Sequence, residues 1–341
     1  MAYTTIDDPA QYFNIKLYTG NATNPTTISG IGFQPDWVWT KGRSAAEGHR
    51  LCDSVRGATK DLLSNTTAAE STNTIGLKSF NSDGYVIGNS NGYNFNSATF
   101  VSWNWLAGGS ASSNTDGSIT STVSANATAG FSIVSYSGND TQETVGHNLG
   151  VAPSMIIIKR RNVSAEWCVY HKSIGAEKYL QLSTNEAQAD SVSTFNDTEP
   201  TSSVFSIYDA GLTGATGSNY IAYCFAEKKG YSKFGSFTGN GNADGTFVYT
   251  GFKPAFIIEK LSSGTGSWLI YDNKRNGING DNHYFYANGS DAELTTQLID
   301  ITSNGFKHRH AGGANSSGTS IYMAFAEAPF VNSNGIPTNA R

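Results

Sequence analysis

Alternation of apolar and polar positions is visible early in the chain. In "FNIKLY" Phe13, Ile15 and Leu17 are apolar at every second place, the period of a strand with one buried face. Elsewhere short apolar runs stand between turn signals. Examples are "GFQPDWVWTKGR" (32–43), "GVAPSMIIIKRR" (150–161) and "GFKPAFIIEK" (251–260), separated by "TGN", "SDG", "SNG" and "NADG". No stretch of useful length keeps a 3.6-residue period, and "TTAAES" and "SDAELT" offer one helical turn each. The pattern predicts an all-β chain of many short antiparallel strands, folded as β-sandwiches of jelly-roll type.

The apolar runs also recur in order, and a fixed internal period governs the fold. "LYTGN" begins at Leu17, "SYSGN" at Ser135 and "SFTGN" at Ser236. Pro35, Pro153 and Pro254 follow, each with a lysine six residues later: Lys41, Lys159 and Lys260. Fourteen residues after each proline stand His49, Trp167 and Trp268. The copies close on "FVSWNW" (100–105), "YIAYCFAE" (220–227) and "IYMAFAE" (321–327). The prolines are 118 and 101 positions apart, and the surplus of the first interval falls mostly in a Gly/Ser/Thr-rich stretch. This gives an N-terminal arm (1–11), repeats at 12–108, 130–228 and 229–330, a linker or added strand at 109–129, and a tail at 331–341. Repeats of about 100 residues are large enough to close their own cores, so three separate beads are expected. Trp167 and Trp268 are expected to be buried anchors within their own repeats, and each motif lysine to mark a strand's exit into solvent.

Composition narrows the class. Charged residues are 14% and aromatics 12%, a β-rich and not a disordered balance. A net charge of −5 argues against nucleic-acid binding. "MAYTTIDDPAQYF" has neither a basic nor an apolar leader segment, and no apolar run approaches a membrane span. Cys52, Cys168 and Cys224 show no pairing pattern and are expected to be reduced, semi-buried thiols.

Candidate chemistry is sparse. Asp36, Asp53, Asp272, Glu227 and Glu327 sit at strand ends and do not recur in all three copies, so no catalytic pair emerges. His308 and His310 are two apart on a predicted strand and would face one side, without a third ligand nearby. Asn240, Asn242 and Asp244 in "NGNADG" have the spacing that opens an oxygen-ligand calcium loop, but a hairpin turn explains it more simply. Trp37, Trp39, Trp103 and Trp105 form two period-two pairs; stacked indoles suit core packing first and sugar rings or a protein partner second. No catalytic metal or cofactor is expected.

Taken together, "YFNIKLYTGN", "GFQPDWVWTKGRSA", "DSVRGAT", "NSDGYVIG", "GYSKFGSFTGNGNADGTFVYTGFKPAFI", "IYMAFAEAPFV" and "NGIPTNAR" resemble a family of virion-associated, tail-fibre-like proteins of marine bacteriophages. The resemblance spans essentially the whole chain and brings no catalytic constellation. It implies a non-enzymatic virion protein, a tail fibre or adhesion subunit presenting β-modules to host-surface glycans or proteins. A capsid decoration or head fibre is the alternative, and a polysaccharide depolymerase the less favoured third. Implied partners are other virion proteins, contacted through the polar arm, and further copies of the chain, with a trimer preferred by analogy with fibres.

Overall fold

A computed structural model describes residues 2–209, 211–275 and 279–338; Met1 of the arm and residues 339–341 of the tail lie outside them. Strands dominate, and all pairs of named strands are antiparallel. The fold is all-β and of sandwich type. One six-stranded sheet runs in the order Phe13–Thr19, Thr99–Trp105, Trp37–Gly42, Arg50–Asp53, Lys60–Leu63, Ser71–Thr72. The same order returns in Ser232–Gly239, Gly318–Pro329, Phe252–Leu261, Leu269–Asp272, Asn282–Tyr286, Leu294–Thr296. It returns again, from Phe131–Ser137 through Asn219–Phe225, in an eight-stranded sheet whose extra edge strands are Ser112–Asn114 and Ser121–Asn126. Each large sheet is faced by a small one: Thr26–Ser29 with Gly84–Ile87 and Leu77–Asn81, then Glu143–Gly146 with Val204–Ile207, then Phe247–Tyr249 with Gly305–His308 and Ile299–Thr302.

Period-two alternation now explains the continuous apolar runs. Along Met155–Arg160, Ile156 and Ile158 point into a core shared with the small sheet of the same repeat. Met155 and Ile157 point the other way, into a second core. Trp37 and Trp39 make the same choice against Val38, and Phe256 and Ile258 against Ile257. A strand buried on both faces needs no polar positions.

That second core is common to all three repeats, which corrects the expectation of separate beads. Trp105, Phe225 and Phe325, at one register position of the three closing strands, meet in a triad with centroids 6.5, 5.8 and 6.1 Å apart. Phe13, Trp37, Trp103, Phe131, Tyr223, Phe256 and Trp268 surround it. The inner face of each large sheet is too aromatic to leave in water, and three such faces cover one another around a pseudo-threefold axis. The arm closes the ring: Ile6 is 3% exposed in the shared core, and Tyr3 Oη donates to Gly251 O at 2.6 Å.

Candidate functional site

The inner face is occupied by junctions between repeats, and these account for most of the sequence motifs. At the position fourteen residues after each proline, the side chain reaches the last residue of an equivalent strand in the neighbouring repeat. Trp167 Nε1 donates to Leu63 O at 2.9 Å, and Trp268 Nε1 to Gln181 O at 2.9 Å. His49 closes the circle: its Nδ1 accepts from Trp39 Nε1 at 2.8 Å, which leaves Nε2–H to donate to Tyr286 O at 3.1 Å. Trp167 and Trp268 are buried as expected, but at the seams between repeats rather than within one.

The motif lysines do not exit into solvent. Lys41, Lys159 and Lys260 are each 0% exposed. Period two puts Lys159 on the face of Met155 and Ile157, and its ammonium donates to Thr67 O, Arg160 O and Ala165 O. Lys260 likewise reaches Asn185 O in the second repeat, and Lys41 reaches Ser290 O in the third. Carbonyls rather than carboxylates accept their hydrogen bonds, and burial lowers each pKa to about 8.

The carboxylates follow the same circular logic. Asp53 pairs with Arg56 and accepts from Tyr223 of the second repeat at 2.8 Å. Asp272 pairs with Arg275 and accepts from Trp103 of the first at 2.9 Å. The middle repeat has His171 instead, and the third repeat has Met323, which has no donor, at the register position of Tyr223 and Trp103. His171 Nε2 turns to Tyr322 O at 3.2 Å, its Nδ1 being occupied by Ser173 N. Glu70 bridges Arg56 and Arg161, and Glu293 bridges Arg275 and Arg43, so Arg161 is a seam residue and no separate basic site. These are structural pairs; Glu227 instead bridges Lys172 and Lys233, and Glu327 pairs with Lys253, all three lysines being partly exposed.

Trp37, Trp39, Trp103 and Trp105 are all 0% exposed, and this corrects their candidacy as a binding face. "NGNADG" is a chain of side-chain turns: Asn240 Oδ1 accepts from Asn242 N and Asn242 Oδ1 from Asp244 N, while Asp244 pairs with Lys307 at 2.7 Å. Among the described residues no three His, Cys, Asp or Glu side chains converge. His308 and His310 part company, because the strand ends at His308: the first is buried, the second exposed. The three thiols are free and wholly buried, not semi-buried.

Between large and small sheets the repeats diverge. In the first, Asp61 accepts from Tyr93 Oη at 2.6 Å and from Cys52 Sγ at 3.1 Å. In the second, at the register position of Cys52, Tyr170 donates to Glu199. In the third, Tyr271 donates to Glu259 at 3.0 Å, and the other Glu259 oxygen lies 3.5 Å from His308 Nε2. Burial pushes Glu259 up to about 8 and His308 down to about 4, so burial favours the neutral form of each despite their proximity.

The outer surface of the third repeat differs most. On the edge strand Phe247–Tyr249, Val248 points inward while Phe247 and Tyr249 are 45% and 54% exposed. The register places Thr27 and Ser29 at these positions in the first repeat and Thr144 and Gly146 in the second. Beside Tyr249 opens a cleft of about 350 Å³ between arm and third repeat, lined by Tyr3, Glu227, Lys229, Lys233 and Gly251 among others. Gly251 has φ +83°, and a Cβ there would stand 2.8 Å from Tyr3 Oη, so glycine is what lets the two tyrosines approach. The aromatic pair was readable in "TFVYTG"; Tyr3 was not, since nothing local links it to residue 249.

Comparison with curated proteins and with solved structures returns no match. Residues 8–329 match the family model described as Domain of unknown function (DUF7483), and the chain belongs to that family.

Proposed function

We propose that the chain is a non-enzymatic structural component of a phage particle, a tail-fibre or adhesion subunit that presents its third repeat to host-surface glycans or proteins. The observation that carries this reading is the exposed pair Phe247 and Tyr249 at positions that are polar or glycine in the other two repeats. Core packing does not require aromatics there, and solvent-facing aromatics beside a polar cleft suit stacking against sugar rings. The virion assignment rests on the sequence resemblance. The arm is folded onto the third repeat, so attachment to other virion proteins through it would use its exposed residues Thr5, Asp7 and Asp8. The aromatic inner faces are covered within one chain, so further copies would meet through outer edges.

A capsid decoration is favoured by one feature, the pseudo-threefold body, which matches threefold positions on a shell. A cryo-EM map of the particle separates the two: a three-lobed body on the tail is the expected result, and the same body on the capsid overturns the adhesion assignment. Release of reducing ends from host polysaccharide by the pure protein would overturn the non-enzymatic one.

A further inference from the structure

We infer that the cleft between Tyr3 and Tyr249 binds an anionic saccharide, a pyranose ring bearing a carboxylate or phosphate. The inference rests on the adhesion reading and names the ligand class of that surface. Three features converge. The first is the aromatic wall: Tyr249 is 54% exposed, and the Tyr3 hydroxyl is fixed by Gly251 O, so the Tyr3 ring needs no ordering on binding. The second is charge. Lys172 and Lys233 share the single carboxylate of Glu227, at 2.6 and 3.0 Å. Lys229 sits over the Tyr3 ring at 4.6 Å, with no carboxylate in ion-pair range among the described residues. Two ammonium groups line the cleft, Lys229 and Lys233, against the one carboxylate of Glu227, which Lys172 neutralises from outside; the cleft is left positive in a chain of net charge −5, which is charge complementarity for an anion.

The third feature is size and polarity. A cleft of about 350 Å³ lies at the small end of ligand sites, with room for one or two sugar rings. Glu227 borders it beside Lys229 and Lys233, and this charged rim next to the tyrosine wall suits a ring with one apolar face and a polar edge. The apolar face of the pyranose lies on Tyr249, its anionic substituent meets Lys229 and Lys233, and its hydroxyls face the polar border. Neither of the other repeats can copy this, because Ser29 and Gly146 stand where Tyr249 does.

The test is calorimetric titration of the whole chain with oligogalacturonate, a phosphorylated mannose oligosaccharide and a neutral mannose oligosaccharide of equal length. Binding of at least one acidic ligand and not the neutral one is expected, weakening as salt rises. Which acidic ligand binds tells carboxylate from phosphate. Lys229→Gln should weaken it about tenfold, as loss of one charge-assisted contact does. Tyr249→Ala should weaken it roughly three- to tenfold. Both side chains are exposed, so the variants keep the parent melting temperature. Equal binding of neutral and acidic ligands, or acidic binding unchanged in Lys229→Gln, overturns the anionic assignment while leaving adhesion standing. Binding to whole host envelope that survives both substitutions overturns the cleft as the site. Absence of binding to any sugar and to host envelope overturns the adhesion reading itself.

Discussion

Trp105→Ala removes the largest ring of the central triad, and its effect depends on whether the repeats fold together. The indole lies 4.5 Å from Trp37 and 4.8 Å from Phe13 within its own repeat, 6.5 Å from Phe225 in the second, and 5.6 and 5.8 Å from Phe256 and Phe325 in the third. Truncating a buried Trp typically costs about 3–5 kcal/mol. The unfolding entropy near the midpoint is about 2.1 cal/mol/K per residue, so a unit of 341 residues gives roughly 0.7 kcal/mol/K. The expected fall in Tm is then about 4–7 °C for one transition that keeps all its heat. A repeat of about 100 residues melting alone would instead drop by roughly 15–25 °C. Differential scanning calorimetry of parent and variant tells these apart. An endotherm that splits, with about a third of the heat moving far and the rest staying, would refute the shared core.

Trp167→Phe keeps an aromatic ring at the seam but leaves Leu63 O without its donor, and should lower stability by about 1–3 kcal/mol in urea titrations; an unchanged midpoint would mean the seam bond is not formed. Glu259 has a folded pKa of about 8 against 4.5 for the free group, so the folded state holds the extra proton and stability falls as pH rises from about 4.5 to 8. His308 acts in the opposite direction, between about 4 and 6.5, which leaves the interval above 6.5 to Glu259. Glu259→Gln should therefore gain about 2 kcal/mol on the parent between pH 6.5 and 8. A gap in melting temperature that is flat over that interval, or that moves against the variant, would contradict a buried neutral acid.

The strands were legible because period two is local, and the repeats because their motifs recur at matched places. What the second apolar face meets was not legible. A run such as Met155–Ile158 shows burial on both sides but not whether the second partner is the same repeat, another repeat or another chain. Lys159 differs from expectation for the same reason: a lysine after an apolar run ordinarily marks solvent, yet its place in the alternation puts it among the carbonyls of a seam. The tryptophan pairs drew notice by size, and size is what commits them to the core. Phe247 and Tyr249 carried the better signal, being aromatic where both other copies are not, and reading it required aligning the repeats by strand register rather than by motif.

The central claim is that no repeat has a complete core of its own. It is tested most directly by producing residues 229–330 alone and measuring size and cooperative unfolding. That segment would bare Phe256, Ile258, Trp268, Ile270, Phe285 and Met323, which the intact chain buries against the other repeats. The account predicts either an unfolded chain or an assembly of three copies that re-forms the axis. A well-folded monomer, unfolding cooperatively with Trp268 shielded from quencher, would contradict it.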